Sequence, residues 1–413
     1  MNICYINPTN NIRRPIAELA NILAEEGNSR SSNNRIKNSI SSNNRIKNSI
    51  DSNNNISIMF PVSKDCPTKN WVANDAIYNG KIHLIPIPSW YFSPLRYSFP
   101  NIWRLWKETK KAYQKNDIIH IWEYFYPLSV IPLVYASFTK KRKSKTILTT
   151  DGFVGYSYKP KQPWWLVPVF RCYTALVARF LFTIPKTMTT YGTSMLPYAK
   201  QAGVPMSRME VLPTGIHLER FQNIKKENID AIKKELAIAN EKVILFVGML
   251  TERKGVDIVI KVSQQLLEEG YAIKTLIVGD AHGNNPYPNM VKKEWKDKII
   301  FTGGRKDIPE LMHLADVLLL PSEGEGLPGV VMEAMAAGLP VVATNEGCTP
   351  DLIEDGKEGF LVKEKKEYLH KVKEILDHPE LSRLCKTQAK KKIAQFSWKS
   401  VAQKYRQLYE SIS

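Results

Sequence analysis

Between Asp316 and Pro340 the chain passes from the apolar run Val317-Leu318-Leu319-Leu320-Pro321, through Ser322-Glu323-Gly324-Glu325-Gly326-Leu327-Pro328-Gly329, into small residues that stop at Gly338. The apolar run has the length and branching of a buried parallel strand, and the stretch to Gly338 reads as a short small-residue helix with a glycine stop. A Gly/Pro turn between them leaves backbone N–H groups free at the positive end of a helix, where an anion binds. Glu325 on the turn and Glu333 inside the helix flank that position. An anion on the amides would leave both carboxylates to accept hydrogen bonds from sugar hydroxyls. The plainer reading, a capped helix with solvated acids, fits poorly with carboxylates set among glycines and apolar residues.

Such a strand needs a sheet. Apolar runs recur at Ile82 to Ile87, Asp117 to Ile121, Thr146 to Thr150, Thr187 to Tyr191 and Met209 to Leu212. A second series runs through Val243 to Gly248, Ala272 to Gly279, Ile299 to Thr302, Asp316 to Leu320, Pro340 to Ala343 and Gly359 to Val362. Strands alternating with helical segments imply parallel sheets covered by helices, and two series imply two Rossmann-like α/β domains. A chain of 413 residues is long enough for both. The break is expected near Leu212-Pro213-Thr214-Gly215, giving domains at 1–214 and 215–396, with a last helix over 397–413. Ligands of open α/β sheets sit beyond the carboxyl ends of the strands, so a cleft between facing domains is the expected site.

One segment breaks the pattern. Residues 31–40 are repeated without change at 41–50 and a decayed third copy begins at Asp51. Asn/Ser-rich sequence of this kind buries too little apolar surface to offset its ordering entropy, so 28–54 is expected to be a disordered insertion. The five cysteines are scattered, with no CxxC spacing, which favours a reducing cytosol over a zinc site or disulfide framework. No secretory leader is legible at Met1 to Ile6. The net charge of +18 fits anionic substrates, an anionic membrane surface or nucleic acid. The densest clusters, Lys140-Lys141-Arg142-Lys143 and Lys390-Lys391-Lys392, could be solvated faces or binding sites.

The segment from Ser322 to Pro340 resembles the donor-site signature of glycosyltransferase family 4, retaining nucleotide-sugar transferases with a GT-B fold, and similar features recur from about residue 115 to the C-terminus. The resemblance implies that Glu325 contacts donor-sugar hydroxyls and that Glu333 holds the nucleotide ribose, with Gly326, Leu327, Pro328 and Gly329 around the phosphates. It also implies that Gly248, Gly279 and Asp307 line the donor pocket. Asp307 could equally cap the helix beginning at Ile308. Family members carry Gly-Arg and then Lys-Gly after the strand matching Val243 to Gly248, both cations gripping the diphosphate. Here Met249 takes the usual Arg position and Arg253-Lys254-Gly255 follows, so the roles pass to Arg253 and Lys254. No Asp-x-Asp pair suits a metal, and fixed cations can neutralise a leaving diphosphate instead. No cofactor and no metal are expected beyond a UDP- or GDP-sugar co-substrate.

The N-terminal half departs from the family pattern. Its first loop is Asn7-Pro8-Thr9-Asn10-Asn11 rather than glycine-rich, and Asp151 stands near the position of a family His. Asp151 could take the acceptor's proton or shape a glycine turn. Gly152, Phe153, His120 and Glu123 are the other acceptor-side candidates. The aromatic, basic stretches at 90–97 and 163–182 suit either an interfacial surface or a domain core. The expected function is transfer of a hexose or related sugar to a saccharide or lipid-linked acceptor in glycan biosynthesis. The place would be cytoplasmic, with a peripheral seat on the inner membrane face as an option. The alternatives are a GT-B nucleotide-sugar epimerase and a basic nucleic-acid binder, though no nucleic-acid module is recognisable.

Overall fold

The computed structural model describes residues 1–10, 12–25, 55–63, 82–92, 97–157, 166–281, 283 and 285–413. The expected insertion at 28–54 and the pair Trp164-Trp165 lie outside them. The described chain divides into two compact units. One comprises Met1–Tyr191, Leu196–Thr214 and Trp398–Ser413, the other Gly192–Met195 and Gly215–Ser397.

The first unit is built on β1 (Ile3–Ile6), β2 (Ile56–Val62), β3 (Ile82–Phe92), β4 (Tyr97–Pro100), β5 (Ile118–Trp122), β6 (Thr146–Thr149), β7 (Thr187–Thr190) and β8 (Met209–Val211). Their order in the sheet is β4-β3-β2-β1-β5-β6-β7-β8. β1 lies centrally, with Ile3 paired to both Ile56 and Ile118. Every pairing is parallel except β3 with β4. That antiparallel edge is a departure from the sequence reading, which ended the third strand at Ile87. The aromatic residues to Phe92 favour a pleated surface, and Trp90 pairs with Phe99 of β4.

The chain's last helix, Trp398–Ile412, explains how its final residues join this unit. Trp398, Val401, Ala402, Tyr405, Leu408 and Tyr409 recur at helical spacing and lie in one core with Ile3, Tyr5, Ile56, Trp122 and Leu212. Each large apolar side chain so buried contributes about 1.5–3 kcal/mol of transfer free energy. His120 belongs to this core. It is fully buried, with Nδ1 2.7 Å from Tyr409 Oη and Nε2 2.6 Å from Thr149 Oγ1. Burial pulls its pKa well below the ordinary value. The expectation of an open, acceptor-facing His120 is therefore corrected: both ring nitrogens are engaged inside the unit.

The second unit carries β9 (Lys242–Val247), β10 (Ile273–Val278), β11 (Ile299–Gly303), β12 (Val317–Leu320), β13 (Val341–Thr344) and β14 (Gly359–Val362), all parallel, in the order β11-β10-β9-β12-β13-β14. Successive strands step outward from β9 to β11, and the chain then returns to β9's other side as β12. At such a reversal the loops leaving neighbouring carboxyl ends diverge and open a crevice. The loops after β9 and β12 are those that carry Arg253, Lys254 and Glu325.

Candidate functional site

The two loops are tied together by backbone before any side chain is considered. Glu323 N–H donates to Arg253 O at 2.8 Å. Arg253 Nη1 donates to Glu323 O at 3.0 Å, to Gly324 O at 3.3 Å and to Glu325 Oε1 at 3.2 Å. Lys254 Nζ donates to the same Glu325 oxygen at 2.5 Å. Lys254 and Glu325 are each only 14% exposed, whereas Arg253 is 40% exposed. One carboxylate thus holds two cations, and a second anion entering there would meet both. Pro328 occupies the N-cap position of helix Gly329–Ala337 without a side-chain cap. A Cβ placed on Gly329 would meet open space, so the helix start is accessible. Ser322 Oγ, buried beside this turn, has no hydrogen-bond partner among the described residues.

Close backbone packing shapes the rest of the crevice. Gly279, at φ +141°, approaches Gly248 so closely that a Cβ would lie 1.9 Å from Gly248 O. Gly248 N–H is held by Val278 O and Gly279 N–H by Gly303 O, which draws the ends of β9, β10 and β11 together. Gly347 does the same for the acidic turn: at φ +60° its Cβ would fall 1.7 Å from Glu325 O. Cys348 N–H then donates to Gly326 O at 3.0 Å, and Gly324 N–H to Glu346 Oε2 at 3.2 Å. Leu327 and Pro328 are buried, and Glu333 is half-buried on the helix.

Asp307 stands apart from this cluster. It occupies the N-cap position of helix Ile308–Leu314, but its side chain makes no cap hydrogen bond, which corrects the capping alternative. Arg305 takes both its oxygens, at 2.9 and 2.5 Å, and also forks onto Glu235. The Arg305 guanidinium holds the Asp307 carboxyl below its ordinary range.

In the first unit the structure brings together Glu123, Asp151 and a residue the sequence reading did not single out, Arg13. Arg13 Nη1 donates to Glu123 Oε1 at 2.6 Å, and its Nη2 lies 3.3 Å from Asp151 Oδ2. The guanidinium is set by its own backbone, since Arg13 N–H donates to Asn7 Oδ1 at 3.0 Å. Thr150 Oγ1 donates to Glu123 Oε2 at 2.7 Å. Glu123 is fully buried and, at φ +60°, adopts a left-handed backbone that a non-glycine residue rarely holds. Burial, and then the charge of Asp151, push its carboxyl up to about 8 against the pull of Arg13. Burial works against the charge of Arg13, but Asp151 and Glu123 outweigh it and raise its pKa. One cation thus serves two carboxyls, and Asp151, 39% exposed, is the open one.

Gly152 follows it in a turn where Phe153 N–H donates to Ser157 Oγ at 2.8 Å. Phe153 is a correction: its ring is fully buried near Tyr124 and Phe182 and does not line an open surface. Arg13, Glu346 and Gly347 were not legible as site residues. Arg13 lies 110 residues from Glu123, and only the parallel pairing of β1 with β5 brings them together. For Gly347, the sole signal was a glycine just past a strand.

Residues 228–392, all in the second unit, match the model of the glycosyl transferases group 1 family. Spore coat protein SA of Bacillus subtilis (strain 168) is 30% identical over 53% of this chain and 61% of its own length, so the match spans about three fifths of that relative. An Escherichia coli UDP-Gal:alpha-D-GlcNAc-diphosphoundecaprenol alpha-1,3-galactosyltransferase is 28% identical over 40% of this chain and 43% of its own. Among solved structures, Anabaena HepE in complex with UDP and glucose superposes with a TM-score of 0.71 at 18% identity, covering all of both chains. That likeness establishes the two-domain α/β GT-B fold. The match to the group 1 glycosyl transferases lies in the region that contains Arg253, Lys254, Glu325 and Glu333.

Proposed function

We propose that this chain is a retaining glycosyltransferase that moves a hexose or related sugar from a nucleotide sugar, with UDP the favoured nucleotide, to a saccharide or lipid-linked acceptor. The observation that carries the reading is the Arg253–Lys254–Glu325 cluster at the reversal of the second sheet. As the bond from the anomeric carbon to the phosphate oxygen breaks, its electron pair leaves with the diphosphate. Arg253, Lys254 and the amides at Gly329 would stabilise that charge without a metal, and each such donor contributes on the order of 3 kcal/mol. Glu325 would turn from the cations to the sugar hydroxyls, and Glu333 would hold the ribose. In the first unit Asp151, kept in place by Arg13, would receive the acceptor proton. The acceptor oxygen then bonds to the anomeric carbon on the face the diphosphate left.

The nucleotide is supported by the UDP complex of the Anabaena protein, and the lipid-linked acceptor by the name of the E. coli relative. An acceptor of that kind would place the enzyme at the inner face of a membrane. The test is transfer from UDP-hexoses to diphosphoundecaprenol-linked saccharides in EDTA, with the product anomer read by NMR. Retained configuration without added metal supports the reading. Inversion, or a strict divalent-metal requirement, contradicts it.

A further inference from the structure

Water-soluble proteins seldom leave several large apolar side chains exposed in one patch. On the first unit, helix Ile102–Lys115 leaves Trp103 86% exposed and Ile102 63% exposed at its first turn. Trp106, one turn on, lies edge-on to Tyr135 at 5.0 Å and to Phe138 at 6.2 Å, and Phe138 is itself 63% exposed. The patch therefore continues to the end of helix Pro127–Ser137. That helix also packs against Arg179–Leu181, in a segment where Leu176, Val177 and Phe180 face outward. Residues on the other side of this segment, Thr174, Ala178 and Leu181, are buried.

Cations surround these side chains. Arg104, Lys107, Lys110, Lys111 and Lys115 line the exposed side of the 102–115 helix, whose one acid, Glu108, is buried and paired with Arg104 and Lys111. Directly after Phe138, Thr139 caps a short helix holding Lys140, Lys141, Arg142 and Lys143, and the Arg142 guanidinium stacks over Tyr135 at 4.0 Å. Residues 138–145 and 166–182 contain no carboxylate side chain.

We propose that this face seats the first unit on an anionic bilayer, with Trp103, Trp106, Phe138, Leu176 and Phe180 entering the headgroup region and the flanking lysines and arginines meeting lipid phosphates. Charge complementarity selects the occupant. A second copy would set cation against cation, whereas aromatic rings flanked by an excess of basic residues match an acidic interface. The proposal deepens the lipid-linked-acceptor reading, on which it rests for its purpose, while its evidence is the surface itself.

The test is sedimentation of the full-length chain with phosphatidylcholine vesicles, with and without about one third phosphatidylglycerol. Partition onto the anionic vesicles should exceed that onto neutral ones by at least about tenfold and fall in high salt. Lys107→Gln, Lys110→Gln and Lys141→Gln should each weaken it about fivefold. Trp103→Ser combined with Phe138→Ser should remove most of the binding that survives salt. UDP affinity should be unchanged in every variant, so a failed membrane proposal is distinguishable from a failed donor site and from misfolding. Equal binding to both vesicles, no binding to either, or a concentration-dependent dimer dissolved by Trp103→Ser would overturn the proposal, the last by giving the face to a second copy.

Discussion

Glu325→Gln should tighten binding of free UDP while impairing sugar transfer. Without a nucleotide the Glu325 carboxylate neutralises Lys254 at 2.5 Å and reaches Arg253 at 3.2 Å, so a diphosphate must first displace it. The amide keeps the side chain's shape and removes the competing charge. Arg253 is substantially exposed, and solvent screens its share, so the Lys254 contact carries most of the effect. A pair mostly removed from water falls between surface pairs and fully buried ones, about 1–2 kcal/mol, or roughly 5- to 30-fold in affinity. Calorimetric titration of UDP into wild type and variant measures this directly, and transfer assays with the UDP-sugar measure the opposite effect. Unchanged or weaker UDP binding in the variant would show that Glu325 does not occupy the diphosphate's place.

Gly347→Ala should disrupt the acidic turn, because a Cβ would collide with Glu325 O at a left-handed backbone position; nucleotide binding should be lost while far-UV circular dichroism stays native, and retained binding would refute the assigned packing. Glu123 should make stability fall with rising pH. Its folded pKa of about 8 lies above its ordinary 4.5, so its contribution is present in full below the lower value and is lost as pH rises through about 8. Glu123→Gln should therefore lose less Tm than wild type between about pH 5 and 9, and parallel curves would sink the assignment. His120→Ala should cost about 2–4 kcal/mol of stability by stripping partners from Tyr409 and Thr149, with UDP affinity unaltered; a neutral effect on Tm would contradict its place in the core.

What the sequence made legible was local. The run from Val317 through the Gly/Pro turn to Gly338 is a strand, turn and helix in the structure, because apolar length and glycine placement act within a few residues. Two parallel sheets followed from the alternation of such runs. Sequence could not show which side chains meet across strands. His120 ends with inward neighbours because β5 lies beneath the last helix, 289 residues away. Arg13 joins Glu123 only through the β1–β5 register. The antiparallel pairing of β3 with β4 escaped because its aromatic residues read equally well as exposed surface, and Trp90 is indeed 59% exposed within it. Asp307 looked like a cap by position, but Arg305 outcompetes the backbone for its carboxylate.

The central claim is that Arg253 and Lys254 bind a donor diphosphate in the second unit. Equilibrium dialysis of radiolabelled UDP-hexose against wild type and Lys254→Ala, both in EDTA, tests it most directly. The account predicts saturable binding to wild type without metal and a loss of about tenfold or more in the variant while its far-UV circular dichroism stays native, since truncation removes a charge-assisted contact to phosphate. Equal affinity in the two proteins, or wild-type binding that appears only with added divalent metal, would contradict it.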